Sequence, residues 1–167
     1  MKLDLRRITV AEGETIPFAY DANLAQEEMN GEHLFPQPVR VEGEVRNHLG
    51  VLALHADITA QLETRCARCL APVSKQIAAV CDAVLSREEP SAERDDIIFI
   101  EGESVELDEI CIPALWLEVQ MTYLCKPDCK GLCPTCGKNL NDGPCECTGR
   151  TVDSRLAVLQ KLLDSKN

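Results

Sequence analysis

Aromatic side chains are scarce. The 167 residues contain one Trp, two Tyr and three Phe, too few for the stacked rings on which single-stranded bases are usually held. Basic residues are outnumbered, with 17 Lys and Arg against 28 Asp and Glu, a net charge of -11 and a pI near 4.7. That balance excludes a protein gripping nucleic acid by bulk charge. No apolar run reaches bilayer-spanning length, because the most apolar one, Ile110 to Met121, is interrupted by Glu118 and Gln120. The segment Met1 to Arg7 lacks the apolar stretch of a secretory signal, so a cytoplasmic, reducing setting is expected. Histidine is rare too. His33, His48 and His55 fall in a loop, a turn and the polar face of a strand, with no nucleophile or carboxylate partner identifiable beside them. No glycine-rich phosphate loop, H-E-x-x-H or G-x-S-x-G occurs, and the expectation is a non-enzymatic protein.

Against these absences stand ten cysteines in a chain whose 45% hydrophobic and 27% charged residues suit an ordinary globular core. From Val39 to Leu85 the pattern is that of antiparallel sheet. Val39, Val41, Gly43 and Val45 alternate with charged residues, and Asn47 to Gly50 supplies turn chemistry. Leu52, Leu54, Ala56, Ile58 and Leu62 then mark one face of a strand, followed by another strand over Val73 to Leu85. Leu3 to Val10 and Ile16 to Tyr20 are further strand candidates.

Residues 86–96, rich in charge beside Pro90, read as an acidic linker, and Ile97 to Ile100 as a short buried strand. Leu107 to about Leu124 has helical spacing with Asp108 as N-cap. One apolar stripe carries Leu107, Ile110, Ala114, Leu117 and Met121, and a second carries Ile112, Trp116, Val119 and Tyr123. Pro113 requires an irregular first turn. A short amphipathic helix is expected over Asp153 to Leu163. The resulting expectation is an α+β fold, an antiparallel β-sheet or partly open barrel with a buried helix. Residues 1–124 form its β-rich part, and residues 125–167 a cysteine-rich, zinc-binding segment packed on it and ending in a short helix.

Eight cysteines lie in short-spaced groups: Cys66 and Cys69, Cys125 and Cys129, Cys133 and Cys136, Cys145 and Cys147. In a reducing compartment such spacing points to metal rather than to disulfides. Tetrahedral zinc takes four soft ligands, and two thiolates separated by two residues reach one ion from a tight turn. Cys133, Cys136, Cys145 and Cys147 make one local set, with Gly137, Asn139, Asn141 and Gly143 permitting sharp turns between them. Cys125 and Cys129 then need Cys66 and Cys69, so a second zinc would tie the tail to the sheet. A single zinc with spare thiols is the alternative, and a redox pair at Cys66 and Cys69 fits less well, since they lie in a β-meander rather than before a helix. Four thiolates leave no open position, so the expected zinc ions, two in number, are structural. Cys81 and Cys111 read as core residues.

The run Cys129-Lys130-Gly131-Leu132-Cys133-Pro134-Thr135-Cys136-Gly137, followed by Cys145-Glu146-Cys147 and Asp153-Ser154-Arg155-Leu156, resembles the C-terminal signature of the YceD family, the large-ribosomal-RNA-subunit accumulation proteins. Cys66-Ala67-Arg68-Cys69 is similar to that family's upstream C-x-R-C motif. The resemblance implies a role in 23S rRNA processing or accumulation during large-subunit assembly, with precursor rRNA, an assembly intermediate or a ribosomal protein as partner. The acidity spares the motifs: residues 81–120 carry -10, whereas residues 61–80 and 121–167 each carry +2. Arg65, Arg68, Lys75, Lys126, Lys130, Lys138, Arg150 and Arg155 would form one RNA-binding surface if a metal joins the two regions. Offsetting the charge of a four-thiolate zinc is the competing reason for those cations, and a zinc-stabilised protein-interaction module without RNA contact is the competing function.

Overall fold

The computed structural model describes residues 1–29, 31–87 and 97–147. Seven strands and two helices follow in the order β1 Lys2–Asp4, α1 Arg6–Val10, β2 Thr15–Ala22, β3 Val39–His48, β4 Val51–Arg65, β5 Pro72–Ser86, β6 Ile97–Phe99, β7 Ser104–Glu106 and α2 Leu107–Leu117. An open five-stranded sheet has the order β2-β3-β4-β5-β6, and β1 pairs with β7 in a separate ribbon.

The long β4–β5 hairpin dominates the sheet. Its register runs from Leu52 opposite Leu85 to Arg65 opposite Pro72, so the loop that closes it carries Cys66 and Cys69. The alternation read from the sequence places Leu52, Leu54, Ala56, Ile58, Ala60 and Leu62 on the core face, with Ala79, Cys81, Ala83 and Leu85 beside them. At the other end the chain turns through Leu49 and Gly50, both at positive φ, the conformation a two-residue hairpin turn demands. Asn47, the only buried polar residue among those described, sets that turn. Its side chain accepts from the Gly50 N–H at 2.9 Å and donates to the Ile8 carbonyl at 2.6 Å, fastening α1 to the sheet.

Five expectations need correction. Leu3 to Val10 is not one strand: the Asp4 carboxylate accepts the Arg6 N–H at 2.9 Å, turning the chain into α1, where Leu5 and Ile8 bury three positions apart. The sheet is mixed, because β6 joins β5 in parallel register, Val84 opposite Ile97. As an edge strand β6 is only partly buried, Phe99 being exposed and Ile100, just past it, buried. Helix α2 stops at Leu117, not near Leu124, and Asp108 is not its cap. The cap position is Glu106, whose side chain makes no capping bond, while Asp108 lies in the first turn and accepts from the Met1 amino group at 2.5 Å.

The helix buries Leu107, Ile110, Cys111, Ile112 and Leu115, with the Cys81 thiol donating to the Ile110 carbonyl at 3.6 Å. Trp116 meets Phe35 edge-on at 5.2 Å between ring centres. The stripe expected to run on through Leu117 and Met121 instead leaves both in solvent, 86% and 84% exposed. Ser86 ends β5 rather than opening a linker; the remainder of that linker from residue 88 and the helix expected at Asp153 to Leu163 lie outside the described residues.

Candidate metal centre

The two C-x2-C turns have the same construction. In the first, Leu70 N–H donates to the Cys66 carbonyl at 2.9 Å; in the second, Gly137 N–H donates to the Cys133 carbonyl at 2.9 Å. Both turns end on a left-handed residue, Leu70 at φ 60° and Gly137 at φ 73°. In each, the amides two and three residues on converge on the first sulfur: Arg68 and Cys69 on Cys66, Thr135 and Cys136 on Cys133. Together with the backbone N–H of Cys125 on Cys66, these donors hold the Cys66 and Cys133 thiols down at about 6. Such sulfurs are prepared to carry charge.

Chain topology brings the other ligands in. After α2 the backbone returns to the hairpin loop, where Ala67 N–H donates to the Tyr123 carbonyl at 2.9 Å. Cys125 and Cys129 follow, and their sulfurs lie 3.5 Å from Cys69 and 3.7 Å from Cys66. Cys145 Sγ lies 3.4 Å from Cys133 Sγ. The eight sulfurs form two quartets, Cys66, Cys69, Cys125, Cys129 and Cys133, Cys136, Cys145, Cys147, each with all its sulfurs within 4.8 Å of one another. A tetrahedron with metal–sulfur bonds of about 2.3 Å has edges of roughly 3.8 Å, so the spacing fits an ion enclosed by four thiolates. The protonation pattern agrees with that use. The neighbouring Cys69 thiol pushes Cys125 up to about 12, and Cys136 does the same to Cys147; a bound dication removes this mutual repulsion.

Several contacts around the quartets come from residues with no metal-ligand chemistry. Asn141 Nδ2 donates to Cys129 Sγ at 3.3 Å, and its Oδ1 accepts the Lys130 N–H at 3.0 Å. With Leu140 N–H donating to the Gly131 carbonyl at 2.9 Å, this couples the second quartet to the first. The sequence marked Asn141 only as a turn residue; the Asn-x-Asn spacing, Asn139 Oδ1 receiving the Asn141 amide, was the available signal.

Of the eight cations assigned to an RNA surface, three are committed locally. Arg68 donates to the Cys129 carbonyl at 2.9 Å, clasping the two halves of the first centre. Lys75 sits 5.4 Å above the Tyr123 ring, and Lys138 donates to the Pro144 carbonyl at 2.9 Å. Arg65, Lys126 and Lys130 each adjoin a ligand of the first quartet and are exposed. Among the described residues no carboxylate pairs with them, whereas Arg6, Arg7, Arg40 and Arg46 are all ion-paired. Arg150 and Arg155 lie outside the described residues.

One reading of the histidines is corrected. His55 does have a carboxylate partner, Asp82 at 2.6 Å across the hairpin, and His33 lies 3.2 Å from Glu28. Around the exposed imidazole of His55 stand Glu44 and Asp57 rather than a nucleophile.

The quartets are two sets of four cysteines that could each hold a metal ion, the first drawing residues 125–129 onto the loop of the β4–β5 hairpin. The profile of the family described as "Large ribosomal RNA subunit accumulation protein YceD" matches residues 54–163, and the chain belongs to that family. An uncharacterized protein of Mycobacterium tuberculosis is 31% identical over 110 residues, covering 64% of this chain and 53% of its own. A chloroplastic protein of Zea mays, described as a large ribosomal RNA subunit accumulation protein YCED homolog, is 30% identical over 148 residues, covering 69% and 50%. The chain thus spans about half the length of the curated relatives it matches. No solved structure matches it.

Proposed function

We propose that this chain is a non-enzymatic, zinc-stabilised factor for biogenesis of the large ribosomal subunit. It promotes 23S rRNA processing or accumulation in the cytoplasm by binding precursor rRNA or a pre-ribosomal particle. The observation that carries this reading is the coincidence of family and site: the upstream motif places Cys66 and Cys69 in the first quartet, the C-terminal signature supplies Cys129 to it and all four cysteines of the second, and Arg65, Lys126 and Lys130, which no carboxylate pairs among the described residues, flank the first. Cations without local carboxylates are free to meet phosphates, while the acidic remainder discourages indiscriminate binding. Zinc is the assigned ion because four thiolates in a tetrahedral arrangement suit it, and it is structural because no coordination position stays open.

A second reading, an adaptor that docks a protein without touching RNA, is favoured by Leu117 and Met121 standing in solvent. Purification of the tagged protein at moderate salt, with sequencing of bound RNA, separates the two. Enrichment of precursor 23S rRNA that vanishes on charge reversal at Arg65 and Lys130 supports the first; RNA-free recovery with a stoichiometric protein supports the second and overturns the first.

A further inference from the structure

Beside the first quartet lies a groove that the metal reading leaves unused. Residues 119–123, held by the bond between Ala67 and Tyr123, pass along the hairpin and leave a cavity of about 230 Å³ lined by Met29, Glu32, Thr64, Arg65, Ala67 and Met121 among others. This is below the roughly 300–1,000 Å³ of a pocket for a whole small-molecule ligand, and it suits a group the size of one base.

The lining has three kinds of chemistry. Met29, Ala67 and Met121 give an apolar wall, and Met121 is left 84% exposed. Arg65 presents a guanidinium without a carboxylate partner among the described residues. Glu32 presents a carboxylate held in place through Oε2, which accepts the Thr64 hydroxyl at 2.7 Å. An acidic peptide would bring its charge against Glu32. A nucleotide brings both complements, a phosphate for the arginine and amino protons for the carboxylate.

We infer that this groove takes one unpaired nucleotide of an RNA strand, its base against Met121 and Ala67, its amino edge toward Glu32 and its phosphate on Arg65. On its other side Arg65 borders a wider hollow lined by His33, Pro72 and Ser74, which gives the strand room to continue. The inference rests on the RNA-binding reading and adds a base preference to it. Cytosine and adenine carry an exocyclic amino group for Glu32, and uracil does not.

The test is fluorescence anisotropy of the metal-loaded full chain with short homopolymeric oligoribonucleotides. Wild type should bind oligo-C and oligo-A more tightly than oligo-U. Met121→Glu and Arg65→Glu, both on exposed side chains, should weaken binding roughly tenfold with metal content and circular dichroism unchanged. Glu32→Gln should remove most of the preference over oligo-U. If Met121→Glu and Arg65→Glu bind as wild type while a Lys126→Glu, Lys130→Glu double variant loses binding, the RNA sits elsewhere on the basic surface. The groove assignment then fails and the functional reading stands. If wild type retains neither oligonucleotides nor precursor 23S rRNA, the functional reading falls and takes the groove with it. A protein recovered in place of RNA and lost on Met121→Glu also overturns the nucleotide assignment.

Discussion

Loss of the first metal centre should weaken the whole sheet, and loss of the second should not. Cys69 and Cys125, whose sulfurs meet in the first quartet, are 56 positions apart, whereas Cys133 and Cys145 in the second are 12 apart. By the chain-entropy estimate for a cross-link, closing the longer loop is worth about 4 kcal/mol and the shorter about 3 kcal/mol. These contributions act on different parts of the molecule. The longer loop ties the β4–β5 hairpin to the chain beyond α2, so its loss comes out of a total stability of roughly 5–15 kcal/mol. The shorter loop closes within the tail, between residues 133 and 145. Cys69→Ser should therefore lower the melting temperature of the sheet by roughly 8–16 °C, and Cys145→Ser should leave it within about 0.5 kcal/mol of wild type. Urea unfolding followed by far-ultraviolet circular dichroism reads the sheet, and elemental analysis checks that each variant holds one ion instead of two. Chelation supplies the control for the substitution itself: stripped wild type and stripped Cys69→Ser should converge to within about 1 kcal/mol. Equal loss from both variants, or a sheet indifferent to Cys69→Ser, would refute the reasoning.

Gly43→Ala should cost about 3 kcal/mol or more, because a Cβ there would stand 2.2 Å from the His55 carbonyl oxygen and 2.9 Å from the Phe18 ring; unchanged denaturant stability would contradict this. Leu70→Gly should stabilise the apoprotein by about 0.5–1 kcal/mol, since it relieves a left-handed leucine that is 58% exposed and loses little packing. A destabilised variant would show Leu70 to be held by the core. His55 should titrate above its ordinary 6.5, because Asp82 accepts its hydrogen bond. The pair's small stabilisation is then complete below 6.5 and lost as pH rises through the folded value. Asp82→Asn should bring the NMR midpoint down, and an unmoved midpoint would remove the pair from consideration. Chelation should also erase amide protection in residues 125–147, which hydrogen exchange reads directly.

The parts of the fold that are legible in the sequence are those whose signal is local. Alternation from Leu52 to Leu62 needs only a neighbour to bury against, and the cysteine spacings carry the reach of a tetrahedral ion. What was not legible depends on distant partners. The turn at Asp4 that converts a strand candidate into α1 is settled by Leu5 and Ile8 meeting the sheet and by Asn47 gripping the Ile8 carbonyl. The parallel placement of β6 has no local cue, since three apolar residues fit either direction. Arg68 looks like any exposed arginine until the Cys129 carbonyl is brought to it. Gly131 looks like a turn glycine, although it also lies so close to the clasp that an added Cβ would stand 3.1 Å from the Arg68 carbonyl oxygen.

The shortened helix follows from the same cause. Residues 118–124 keep the apolar spacing of α2, and propensity alone would let the helix continue. A helix continued to Leu124 could not also place the Tyr123 carbonyl on Ala67 N–H and Cys125 Sγ 3.5 Å from Cys69. Those contacts bring Cys125 and Cys129 to Cys66 and Cys69 and so assemble the first quartet. The cost is Leu117 and Met121 in water, and the backbone that peels away forms one wall of the groove beside Arg65. The chain path that assembles the first quartet thus shapes more than the tail: with α2 ending at Leu117, Met121 stands in solvent, open to a partner.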